Sequence, residues 1–434
     1  MAAAPTRVIS LTPTEVVTIE PRRTETVLQS TILYGTAGLL MLGALAFGAV
    51  EPWSIFVLEA GSAALFLMWA GKAVLSPTLH FRWSPLFAPM LLFAGAVAAQ
   101  VVLGTTVYRY ATTSAILRYV AYGGLSFVAL QALETTVDHT KLSRVFSTFG
   151  FSVAAFALIQ SLSSNGKLYW LRTPKFGGWI YGPYVNHNHY AGLMEMLVPI
   201  PLLLCLSQKS RGAQKFFAGL AALLMAATIF LSGSRGGMVA FSLEALLVVA
   251  IVCREKKSRS TIATTVAFAI LLAGAIAWLG SSSFGTRWQE VHFGQGTELS
   301  AGGRLSIYKD ALHMFAQRPL LGWGLGNFVT VYPQFRSFYT NLYINAAHND
   351  YLQMLVETGA VGALAMLWFV VALYRRMSRY LRSLPPRQNG LAVAALVGCV
   401  GILAHSLVDF NLQIPANAAL FYVLATIATA PLED

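Results

Sequence analysis

Twelve apolar runs, each close to the length needed to cross a bilayer, decide what this 434-residue chain can fold into. About 20 consecutive apolar residues span the roughly 30 Å of hydrocarbon, and the runs fall at 27–50, 53–75, 86–103, 113–133, 143–163, 188–207, 215–231, 237–253, 261–280, 350–374, 391–409 and 415–430. They are apolar throughout instead of alternating, and Gly and Ala recur in them, which selects a helical bundle over a transmembrane barrel. The expected fold is all-α and polytopic, with about 12 membrane helices and no room for a soluble catalytic core. A hydrophobic content of 56% against 11% charged residues agrees.

A net charge of +12 could signal nucleic acid, so the placement of the basic residues has to decide. With the N-terminus on the cytoplasmic side, 19 of the 30 Lys and Arg fall on the inner side, including Lys256, Lys257, Arg375, Arg376 and Arg379. That is the positive-inside pattern, so the excess charge sets orientation and meets lipid headgroups, and no nucleic-acid partner is expected. Residues 1–26 lack an apolar core and read as a flexible cytoplasmic tail, 27–163 as N-terminal membrane helices, 164–430 as the functional membrane domain, and 431–434 as a cytoplasmic C-terminus. Cys205, Cys253 and Cys399 all lie in apolar runs without ligand spacing, so neither a disulfide framework nor a metal site is expected.

One connection is long, at 281–348, and loops of that length are usually functional. Within it Leu305, Tyr308, Ala311, Leu312 and Phe315 share a helical face, and Pro319 ends that helix. Gly322, Gly324 and Gly326 follow, and with no preceding strand and no Lys-Ser/Thr they read as a tight turn and not as a phosphate loop.

Five ionisable residues, Glu59, Arg118, Glu195, Glu244 and Glu357, sit at a shared depth in the outer halves of their helices. Buried charge in a membrane is costly, so the pattern predicts a polar cavity opening outward, with pairing of Arg118 to a glutamate as the structural alternative. Three helices begin at that face, after Asn186-His187-Asn188, Ser234-Arg235-Gly236-Gly237 and His348-Asn349-Asp350. Helix N-termini carry partial positive charge, so Arg235 is a candidate for binding a phosphate, and Arg172 and Lys175, in the loop before the sixth run, are further candidates. Ser and Gly there are read first as caps. His348 is placed to act as a general base while Asn349 or Asp350 caps its helix. Asn186, Asn188, Asn349, Glu357 and Arg118 are cavity or acceptor-side candidates. His405 and Asp409, four residues apart, could meet, and a pairing or capping role is expected of them before catalysis.

Ser234-Arg235-Gly236-Gly237, then Gly303-Arg304, Pro319 and the alternating glycines, then His348-Asn349 with Glu357-x-Gly359-x-x-Gly362, resemble the O-antigen ligase and polymerase superfamily over residues 180–375. His405-Ser406, Asp409-Phe410 and Ile414-Pro415 resemble its closing spans. The resemblance implies a GT-C-like membrane fold and transfer of a glycan from undecaprenyl pyrophosphate at the periplasmic face of a bacterial inner membrane. It implies His348 as the base and Arg235 and Arg304 as ligands of the pyrophosphate. The outer side carries no acidic pair resembling a magnesium site, so an inverting transfer without metal or cofactor is expected. Lipid A core is the expected acceptor. Glycan polymerisation and transfer to protein Ser or Thr stay open within the superfamily, and a small-anion permease or a silent scaffold outside it.

Overall fold

The computed structural model describes residues 23–75, 81–174, 178–207, 210–254, 301–383 and 390–430, with a few helical residues between 262 and 270. Most of the run at 261–280, the tails 1–22 and 431–434, the loop portion 281–300 and Lys175 lie outside the described residues. What is described is helical: α1 (Arg23–Leu45), α2 (Pro52–Leu75), α3 (Phe87–Val102), α4 (Arg109–Ala132), α5 (Thr136–Leu162), α6 (His187–Leu197), α7 (Pro199–Leu206), α8 (Gly212–Leu231), α9 (Arg235–Arg254), α10 (Ala301–Gln317), α11 (Asp350–Ser383), α12 (Gly390–His405) and α13 (Pro415–Thr429). Among the described residues eight helical stretches are long and apolar enough to cross a membrane, and α3, α12 and α13 are shorter apolar helices. The protein is an all-α, multi-pass membrane protein.

α6 and α7 form one central stretch, His187–Leu206, almost entirely enclosed by the bundle. Pro199 and Pro201 lack the amide hydrogens a continuous helix would use there, which divides the stretch after Leu197. α5, α8, α9 and α12 pack around it, α13 packs on α4 and α12, and α3 packs on α4 and α11. Close approach is bought with small residues: a Cβ on Gly398 of α12 would lie 2.8 Å from the carbonyl oxygen of Met196. At the start of α5, Thr135 and Asp138 satisfy each other's backbone amides in a capping box.

The tenth run is not one helix. α11 breaks at Gly359, whose φ of 64° is left-handed. The backbone freed by the break is satisfied by the segment after α10. Ala360 donates to the carbonyl of Pro319 at 2.8 Å, and Trp323 and Gly324 donate to the carbonyls of Val356 and Glu357 at 3.1 and 2.9 Å. Irregular backbone at membrane depth survives only where protein satisfies it in this way. Gly322, Gly324 and Gly326 all have positive φ, as a tight turn requires. Glu357 closes the arrangement, accepting from the amides of Gly326 at 2.8 Å and Phe328 at 3.1 Å.

α10 packs by a different face from the one its pattern suggests. Ile307, Ala311 and Met314 are buried, joined by Asp310, while Leu305 and Leu312 are more than half exposed. The reason is a second hydrophobic cluster, in which Ile307, Ala311 and Met314 meet Trp323, Phe328, Tyr332, Ala347 and Val356. Asp310 joins this face because its carboxylate accepts from the Tyr332 hydroxyl at 2.9 Å and the Ser337 amide at 3.2 Å.

Candidate active site

The connection between α12 and α13, residues 406–414, is where distant parts of the chain meet. Arg304 of α10 donates to the carbonyl of Val408 at 3.0 Å, Asn349 to that of Leu407 at 2.9 Å, and the amide of Asp350 to that of Ser406 at 2.9 Å. From the other side, Gly236 lets α9 approach: a Cβ there would lie 2.6 Å from the His405 ring and 3.0 Å from Val408. Arg304 and the residues beside His348 are thus bonded to this one connection, and the Gly236 neighbour of Arg235 packs against it.

His348 stands in a left-handed backbone conformation, φ 53°, unusual for a residue with a side chain. Its carbonyl accepts from the Tyr308 hydroxyl at 2.8 Å, and its ring meets the Phe410 ring edge-on at 4.8 Å. Nδ1 lies 3.6 Å from Oδ1 of Asp409. The imidazole is 14% exposed while the carboxylate is 1% exposed, so the ring reaches solvent while its Nδ1 faces a buried acid at just beyond hydrogen-bond length. Strained backbone at a solvent-reaching histidine is a mark of function, because the surrounding bonds must hold it there.

Burial by itself would push the Asp409 carboxyl up. The His348 ring beside it, with the charges of His189 and His405, outweighs burial and holds it well below the usual carboxylate range. Its Oδ1 also accepts from the Phe410 amide at 2.8 Å. The expected pairing of Asp409 with His405 is therefore replaced: Nδ1 of His405 lies 2.9 Å from Oε1 of Glu195 on α6, and Asp409 turns to His348. The sequence does not announce Asp409 as the partner of His348, because the two lie 61 positions apart and no local spacing signals the contact. The need of any catalytic imidazole for an orienting acid was the available clue.

The other candidates divide. Arg235 is exposed at the first turn of α9 and has no ion-pair partner among the described residues. Ser234 caps that helix, accepting from the Gly237 amide at 3.1 Å. Asn349 caps α11, accepting from the Leu352 amide at 3.0 Å, and Asn186 caps α6 through the Asn188 amide at 2.8 Å. The side chain of Asn188 is buried. Arg172 forms an ion pair with Glu51 and lies over the Phe47 ring at 4.6 Å. Arg118 lies within electrostatic reach of Glu59 and Glu357.

The five membrane-embedded charges do not share one environment. Glu195, Glu244 and Glu357 are buried inside the protein, Glu195 against His405 and Glu357 against backbone amides. The large cavity that does exist is apolar, and none of the five lines it. Their shared depth reflects where helices are held together and where irregular backbone needs an acceptor. Among the described residues no group of three or more His, Cys, Asp and Glu could hold a metal ion.

Comparison with curated proteins finds no match. Residues 220–367 match the family model described as O-antigen ligase, a stretch that begins in α8 and carries Arg235, Arg304, His348 and the broken start of α11. Over that stretch, about a third of the chain, the protein is similar to the O-antigen ligase family.

Proposed function

We propose that the protein transfers a glycan from undecaprenyl pyrophosphate to a lipid A core acceptor at the periplasmic face of a bacterial inner membrane, in a GT-C-like fold. The observation that carries this reading is the meeting of a histidine–aspartate pair with Arg304 at the α12–α13 connection, where the first turn of α9, which bears Arg235, also packs.

Nε2 of His348 takes the proton of an acceptor hydroxyl while that oxygen attacks the anomeric carbon and the bond from that carbon to the pyrophosphate oxygen breaks. General-base help of this kind is worth about 10²–10⁴ in rate. Asp409 orients the ring and stabilises the imidazolium it becomes. The leaving pyrophosphate departs with the bonding pair and needs charge neutralisation more than a proton. Arg235, Arg304 and the amides at the start of α9 supply it. Attack from the side opposite the leaving group inverts the anomeric centre, and the arginines fill the role a metal would otherwise take. Arg172, engaged with Glu51, is assigned to shaping the loop before α6.

The test is reconstitution of purified protein with undecaprenyl-pyrophosphate glycan, with and without lipid A core, beside His348→Ala. His348-dependent transfer to lipid A core is the expected result. A ladder of longer lipid-linked glycans formed without acceptor would make the protein a polymerase. A folded preparation that leaves a competent donor untouched with every acceptor class would overturn the reading.

A further inference from the structure

A cavity of about 420 Å³ lies between α3, α4, α11 and α13, on the side of the α12–α13 connection away from Arg235. Its walls are apolar and largely aromatic, with Phe93, Tyr119, Tyr122, Phe369 and Tyr422 among them. It follows α3 from Phe87 to Ala98, roughly 16 Å at 1.5 Å per residue. At one end are Trp83 and Phe127. At the other are Asp350, Ser406 and Gln413, the rear of the clamp that fixes His348. Asp350 accepts there from the Leu412 amide at 3.0 Å and the Gln413 side chain at 3.2 Å.

We propose that this cavity takes an acyl chain of the lipid-borne acceptor. The inference rests on the transferase reading and names how its acceptor is held. An elongated apolar slot that ends beside a catalytic base fits a hydrocarbon chain whose polar head lies at His348, because burial of hydrocarbon drives its occupancy and polar groups at the mouth fix its register.

The choice of the acceptor over the donor follows from the sides of the connection. Leu403 and Ser406 line the cavity, whereas His405 and Val408 face Gly236, next to Arg235. α9 packs on α6, α8 and α12, while α3 packs on α4 and α11. In-line displacement puts nucleophile and leaving group on opposite sides of the anomeric carbon. With the diphosphate at the arginines, the acceptor's anchor belongs on the cavity side.

The experiment uses the full-length protein in proteoliposomes and lipid A core carrying a photoactivatable diazirine in one acyl chain. Irradiation is expected to label α3 and α11 peptides. Excess unlabelled lipid A core should compete the label away, and phospholipid or undecaprenyl pyrophosphate should not. This readout needs no turnover, so it stands apart from failure of the transferase reading. Ala94→Phe and Ala365→Phe, which fill the cavity, are expected to raise KM for acylated lipid A core about tenfold or more, the worth of two or three methylenes no longer buried. KM for the donor and the rate with fully deacylated core should stay unchanged. Competition by phospholipid would make the cavity an ordinary lipid site. Competition by undecaprenyl pyrophosphate, or a raised donor KM, would assign it to the donor's tail. Labelling elsewhere, or folded variants with unaltered kinetics, would also overturn the proposal.

Discussion

Two buried carboxylates, Glu357 at the glycine turn and Asp409 at the α12–α13 connection, sit in similar settings and do different work. Both lie at irregular backbone and are about 1% exposed. Glu357 has its oxygens taken by the amides of Gly326 and Phe328 and, at 3.3 Å, by the side chain of Gln353. Asp409 takes one backbone amide and faces an imidazole that reaches solvent. A carboxylate saturated by backbone amides holds a loop. One that keeps capacity for a titratable neighbour can follow that neighbour through a proton transfer.

The sharpest way to break this contrast is at the histidine. His348→Ala is expected to lower turnover about 10²–10⁴-fold while binding of undecaprenyl pyrophosphate, measured separately, survives. Normal turnover would remove the base from the mechanism and leave Asp409 as structural as Glu357. Asp409→Asn should cost somewhat less, about 10²–10³-fold in kcat with little change in KM, since an amide keeps the shape but does not stabilise the imidazolium. A matching drop from Glu357→Ala, per folded molecule, would erase the distinction.

Arg235→Ala comes next, with donor affinity weakened about 10–100-fold, the worth of one or two charge-assisted hydrogen bonds. Titration of donor binding checks it, and a change in kcat alone would contradict the role. Glu357→Ala is expected to leave kcat per folded molecule unchanged and instead lower the thermal midpoint, as each orphaned amide costs roughly 1–3 kcal/mol.

The smallest effect is on acid stability. Asp409 is held below the usual carboxylate range, so its ionised form stabilises the fold above the unfolded value of about 3.9 and that contribution fades as pH falls further. The difference in thermal midpoint between wild type and Asp409→Asn, present at pH 6, should shrink below about pH 4. A difference that stays constant, or grows, as pH falls would show a carboxyl with an ordinary or raised value.

Much of this was legible in the chain. Apolar length located the described membrane helices, the Ser234 and Asn349 caps followed from residue type, and the alternating glycines announced a turn. Depth alone misled for the embedded charges, because a one-dimensional pattern cannot tell a cavity wall from a backbone acceptor such as Glu357. The face of α10 was misjudged because Asp310 is buried by partners more than 20 residues away, which no helical period encodes. The pairing of His348 with Asp409, and of His405 with Glu195 across 210 positions, depends on how helices stack. Where nearly every face is apolar, periodicity carries no instruction for stacking.

The interruption of α11 at Gly359 also separates two mechanical tasks. The short segment Asp350–Thr358 is tied by hydrogen bonds to Ser406 at one end and to Trp323 and Gly324 at the other. The long segment below it lies against α3 and α13. Membrane helices answer changes in bilayer thickness by tilting, and in an unbroken rod that tilt would sweep the far tip sideways. Here the left-handed glycine interrupts the rod, so the segment next to the histidine and the long shaft do not share one continuous helix axis.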